Sequence, residues 1–164
     1  MEVISSYNSK ENKNTSISVS YEAEDALGFV SIQTVLGNGE FVRKEKFIGN
    51  ARELKALSLL IQAAIELLTP DKPNVNHDQA SILGKIDPFY DDVVDDEFPY
   101  IEVGEFLSGL VRIELKYDDP EIDNDFYTSN EINGVFIDLN VGEATHFIHY
   151  LHIAIPILRK NEDN

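Results

Sequence analysis

Residues 87–100, DPFYDDVVDDEFPY, place six carboxylates and four aromatic rings in fourteen positions with no Lys or Arg among them. Asp91, Asp92, Asp95, Asp96 and Glu97 lie between Tyr90 and Tyr100, and a second run, Asp118, Asp119, Glu121, Asp123 and Asp125, leads into Phe126 and Tyr127. Carboxylates at this density can hold a hard cation, work as an acid–base pair, or present negative charge to a cationic partner. The alternate spacing Asp119-x-Glu121-x-Asp123-x-Asp125 offers oxygens as a calcium loop does, but Asn124 stands where such a loop has glycine and Asn130 where it has its bidentate glutamate. Catalytic carboxylates need opposed environments that separate their pKa values, and a crowded solvated run does not supply them. Charge presentation is the use that fits, because rings give rigid contact area while charge steers the encounter.

His146, His149 and His152 recur at a spacing of three. On a helix the first and last would stand ~9 Å apart along the axis, too far to share one ion. The apolar residues between them, Phe147, Ile148, Tyr150 and Leu151, point to histidines at the edge of a packed helix. The chain has no P-loop, no G-x-G-x-x-G, no G-x-S-x-G and no cysteine, so neither an enzyme nor a cofactor or metal site is expected.

The 164 residues carry a net charge of −17, very unevenly spread. Residues 1–86 hold 11 acids and 9 bases, residues 87–131 hold 15 acids against Arg112 and Lys116, and residues 132–164 hold 4 acids and 2 bases. Charge of this sign argues against nucleic acid and anionic membranes as partners and for a basic protein. The first eighteen residues have no apolar core of a signal peptide, and no run approaches ~18 apolar residues, so a cytoplasmic protein is expected.

The elements that must carry these residues read as one α+β domain over 1–164. Thr15–Tyr21 alternates as a half-buried strand, and 28–36 and 41–48 form a hairpin through Gly37-Asn38-Gly39. Asn50 with Glu53 starts a helix whose stripe is Leu54, Leu57, Leu60, Ile61, Ala64 and Leu68, ended by Thr69-Pro70. Strands follow at 110–117 and 135–141, then a helix from Gly142 to about Lys160 with Pro156 in its last turns. Gly49-Asn50-Ala51 and Gly142-Glu143-Ala144 share a strand-to-helix pattern, which suggests two tandem β-β-α units, 15–69 and 109–160, making a mainly antiparallel sheet with two helices on one face. The acidic runs then fall in connecting loops, 70–108 and 118–132.

In composition the chain resembles the broad class of bacterial toxin immunity proteins, being small, acidic, single-domain and free of cofactor motifs. That resemblance implies an antitoxin-like inhibitor that covers the positive active site of a basic toxin, a nuclease, encoded nearby. Asp91, Asp92, Asp95, Asp96, Glu97, Asp118, Asp119, Glu121, Asp123, Asp125, Tyr90, Tyr100 and Tyr127 are the partner-binding residues on this reading. Two alternatives stand beside it: a nucleic-acid mimic or adaptor that occupies a basic groove on a host protein, and a calcium- or metal-dependent module built on Asp119–Asp125.

Overall fold

Four strands, β1 (Glu2–Asn8), β2 (Thr15–Glu22), β3 (Leu27–Leu36) and β4 (Phe41–Gly49), precede helix α1 (Ala51–Leu67). Four more, β5 (Ser81–Ile86), β6 (Tyr100–Phe106), β7 (Leu110–Lys116) and β8 (Gly134–Leu139), precede helix α2 (Val141–Glu162). The computed structural model describes residues 2–8, 14–36, 41–68, 81–89, 98–106, 109–117 and 134–162. Each set of four strands makes an antiparallel sheet in chain order, sheet A from β1–β4 and sheet B from β5–β8.

The α+β class is the one expected, and the tandem organisation is present with a larger unit, four strands before each helix rather than two. Strands β1, β5 and β6 extend the expected set, and β5 and β6 occupy part of 70–108, which the sequence suggested was a connection. Strand β5, SILGKI, is hard to see because Gly84 and a register shift between Ile82 and Gly84 break its alternation.

The repeat also has a different register from the one the glycines suggested. Asn50 Oδ1 accepts from the N–H groups of Arg52 (2.9 Å) and Glu53 (3.3 Å). At the second helix Asn140 Oδ1 accepts from the Glu143 N–H (2.8 Å) while Glu143 Oε1 accepts from the Asn140 N–H (3.1 Å). The equivalent residues are therefore the two caps, Asn50 and Asn140, each followed by a glutamate at the third helical position. In that register buried Leu54, Leu57, Ile61 and Ala64 fall on buried Ala144, Phe147, Leu151 and Ala154.

Alternation decides which face of each sheet is covered. In sheet A, Ile17, Val19, Val30, Ile32 and Phe47 point inward, and in sheet B Ile101, Val103, Val111, Ile113, Leu115, Val135, Ile137 and Leu139 do so. The helices cross over: α1 packs chiefly on β5 and β6, α2 on β1 and β2, and the two pack on each other, which joins both units in one core. Glu162, at the end of α2, accepts a hydrogen bond from the Ala51 N–H (3.3 Å) and so caps α1. Both helices also meet strand β3 at Gly28, where a Cβ would stand 2.6 Å from Leu54 Cδ1 and 3.0 Å from Leu158 Cδ1. Gly28→Ala is expected to lower stability by about 1–3 kcal/mol, measured by denaturant unfolding, because two fully buried leucines would have to move.

Candidate functional site

The outward faces of the two sheets differ in chemistry. On sheet B, Lys85, Tyr100, Glu102, Arg112, Glu114, Lys116, Phe136 and Asp138 form a network in which three cations meet three carboxylates. Arg112 bridges to Asp138 with two parallel bonds, Nε to Oδ1 at 2.8 Å and Nη2 to Oδ2 at 3.0 Å, and its guanidinium lies 4.0 Å from the Phe136 ring centre. Lys116 Nζ sits 3.0 Å from Glu102 Oε2 and 3.9 Å from Glu114 Oε1. Lys85 Nζ lies 4.8 Å from the Tyr100 ring centre. This face is balanced and internally satisfied.

Burial raises the Glu114 carboxyl above its ordinary value, with the Glu102 charge adding to the effect and Lys116 opposing it. For Lys116 desolvation pulls downward, but the hydrogen bond to Glu102 and the charge of Glu114 outweigh it and leave the ammonium above its ordinary value. A carboxyl raised on folding contributes stability below its unfolded pKa and loses that contribution as pH rises through the folded value. Glu114→Gln is therefore expected to flatten the fall in stability as pH rises above the ordinary carboxyl value of about 4, which thermal melts over a pH series would read.

Sheet A's outward face has a different composition. The register aligns Ser16 with Gln33 and Gln33 with Lys44, and one row on it aligns Ser18 with Ser31 and Ser31 with Lys46. Strand β1 extends both rows, with Asn8 opposite Ser16 and Ser6 opposite Ser18. Two rows of uncharged polar positions thus cross β2 and β3 and end in lysine on β4, beside an aliphatic row of Val35 and exposed Val42. Among the described residues of strands β2–β4, Glu22 at one end is the carboxylate on this face. The next row is closed: Phe29 and Ile48 are only 4% and 3% exposed, Lys46 Nζ lies 4.7 Å from the Phe29 ring centre, and the Phe89 N–H donates to the Ile48 carbonyl (3.0 Å).

The sequence-derived site falls almost wholly outside the described residues. Tyr90, Asp91, Asp92, Asp95, Asp96, Glu97, Asp118, Asp119, Glu121, Asp123, Asp125 and Tyr127 lie outside the described residues, as does the calcium-like Asp119–Asp125 run. Tyr100 is described, and it stands beside Lys85 on sheet B. The strand ends that flank both acidic connections share one end of sheet B: Ile86 aligns with Ile101, Tyr100 with Lys116, and Lys116 with Gly134. His146, His149 and His152 are on the exposed side of α2, and among the described residues no group of three or more His, Asp or Glu side chains could hold a metal ion. Nor is any helix among them long and apolar enough to cross a membrane.

Two solved structures share this architecture. The plant transcriptional regulator PBF-2 is similar over 95% of this chain and 81% of its own, with a TM-score of 0.52 and 11% sequence identity. WHY1 from Arabidopsis thaliana is similar over 94% of this chain and 88% of its own, with a TM-score of 0.51 and 12% identity. No protein-family model matches the sequence, and no curated protein does.

The likeness to a transcriptional regulator overturns the reading of an immunity-type, antitoxin-like inhibitor with a toxin partner, and with it the exclusion of nucleic acid. That exclusion treated −17 as a property of the whole surface. The described residues hold 14 acids and 10 bases, a net of −4, so the remaining −13 belongs to the segments between and beyond them. A partner's sign follows the local field of the face it meets, and the net charge of the chain does not determine it. The polar face of sheet A is what the sequence reading missed. Its signal was present in the serines alternating along β2 and in Lys44 and Lys46, although only the register of four strands turns them into rows.

Proposed function

We propose that this chain is a non-catalytic nucleic-acid-binding module that acts inside the cytoplasm. The observation that carries the reading is the two-fold β-β-β-β-α architecture, shared along nearly the whole chain with a plant transcriptional regulator. The shape favours a single strand over a duplex. Strands spaced ~4.8 Å apart make a four-stranded face wider than the ~12 Å major groove, so a duplex could meet it only along one phosphate ridge. An extended single strand can lie across it. The acidic connections oppose binding and set a strong dependence on salt and charge.

Titration of labelled single-stranded DNA, single-stranded RNA and duplex DNA at about 20 mM and about 200 mM salt tests this reading. Single strands should bind more tightly than duplex of equal length. Changing Asp91, Asp92, Asp95 and Asp96 to Asn should tighten binding by removing repulsion. Absence of binding to every probe by both proteins would overturn the reading.

The strand ends that flank both acidic connections share one end of sheet B, which favours a second reading, an adaptor whose acidic segments occupy a basic groove on a host protein. Under it the same four substitutions abolish association with that protein and leave nucleic-acid binding absent.

A further inference from the structure

We infer that the nucleic-acid site is the outward face of sheet A, where Lys44 and Lys46 contact phosphates and Ser16, Ser18 and Gln33 hold the backbone, and that it binds without base preference. The inference deepens the nucleic-acid reading and rests on it.

Charge complementarity selects this face. Within a chain of net charge −17, strands β2–β4 of sheet A present two lysines here, with Glu22 at the far end as the carboxylate among the described residues. Sheet B's outward face has three cations, but salt bridges hold Arg112 and Lys116 on Asp138, Glu102 and Glu114, and Lys85 lies over the Tyr100 ring. Lys44 is exposed, and Lys46 faces a ring. Two residues apart on one strand, the lysines span ~6.8 Å, the length over which a stacked strand presents about two charges.

The rest of the face determines what is read. Hydroxyl and amide groups hydrogen-bond to phosphate and sugar oxygens, contacts that position a strand without reading its sequence. Stacking would add base contact, but Phe29, the described aromatic residue on this face, is closed off at 4% exposure. Among the described residues this face ends in lysine and offers aliphatic Val35 and Val42 but no open ring, so it recognises the backbone alone. Oligo(dT) and mixed-sequence strands of equal length should therefore bind within about threefold of each other.

The test compares wild type with Lys44→Gln/Lys46→Gln, Lys44→Glu/Lys46→Glu and Lys44→Arg/Lys46→Arg, titrating labelled oligo(dT) over a salt series, with thermal melts to confirm folding. Loss of two phosphate contacts should reduce the slope of log affinity against log salt by about 1.4 in the Gln variant. The Glu variant should lose at least about tenfold in affinity at low salt, and the Arg variant should retain wild-type binding. Because Lys46 also covers Phe29, Lys44→Glu alone gives the same reading with no packing change, at roughly half the loss in log affinity. If wild type binds single strands while the Gln and Glu variants bind equally well with the same slope, the site is elsewhere and the nucleic-acid reading stands. If wild type binds none, both fall.

Discussion

Leu57→Ala should lower the unfolding free energy by about 2–5 kcal/mol, the range for truncating a fully buried leucine in a packed core. Leu57 is completely buried on α1, and its repeat equivalent on α2 is buried Phe147. Because each helix packs chiefly on the other unit's sheet, the cavity would lie between the units and loosen both. Denaturant unfolding followed by far-ultraviolet circular dichroism should show a lower midpoint and one cooperative transition. Two separated transitions would mean that the units fold independently, contrary to the shared core.

Arg112→Ala is expected to cost nearly as much, about 2–4 kcal/mol. Asp138 is 5% exposed, and removing the guanidinium leaves its carboxylate without two charge-assisted bonds in a site with little water. The figure is set below that for a fully enclosed pair because the Arg112 side chain is itself a quarter exposed. The comparison that isolates the cause is Arg112→Met with Asp138→Leu, which removes both charges and should recover most of the loss. Equal loss in the single and double variants would show that packing against Phe136, and not the stranded carboxylate, sets the cost.

What the sequence revealed follows from how local each signal is. Helix α1 was legible because its cap, Asn50, and its buried stripe are both short-range patterns. Strand β7 was legible because Val111, Ile113 and Leu115 alternate strictly with Arg112, Glu114 and Lys116. Strand β6 alternates too, with Ile101 and Val103 inward, but it lies inside the most acidic quarter of the chain, where its alternation is masked by the surrounding charge. The repeat was visible but misaligned by three residues, since Gly49 and Gly142 look alike while the caps, Asn50 and Asn140, are the equivalent pair.

The candidate site was the least legible part. Net charge is a sum over the chain, whereas recognition depends on which residues share a face, and that is fixed by pairing between strands far apart in sequence. Lys46, Ser31 and Ser18 form one row only because β4 aligns on β3 and β3 on β2. No local pattern contains that row.

The most direct measurement of the account is amide chemical-shift mapping on the folded protein as unlabelled oligo(dT) is added at low salt. The perturbed amides should cluster on β2, β3 and β4 around Ser16, Ser18, Gln33, Lys44 and Lys46, with sheet B's Arg112, Glu114 and Lys116 unmoved. Perturbations confined to sheet B, or a spectrum unchanged at saturating strand, would contradict it.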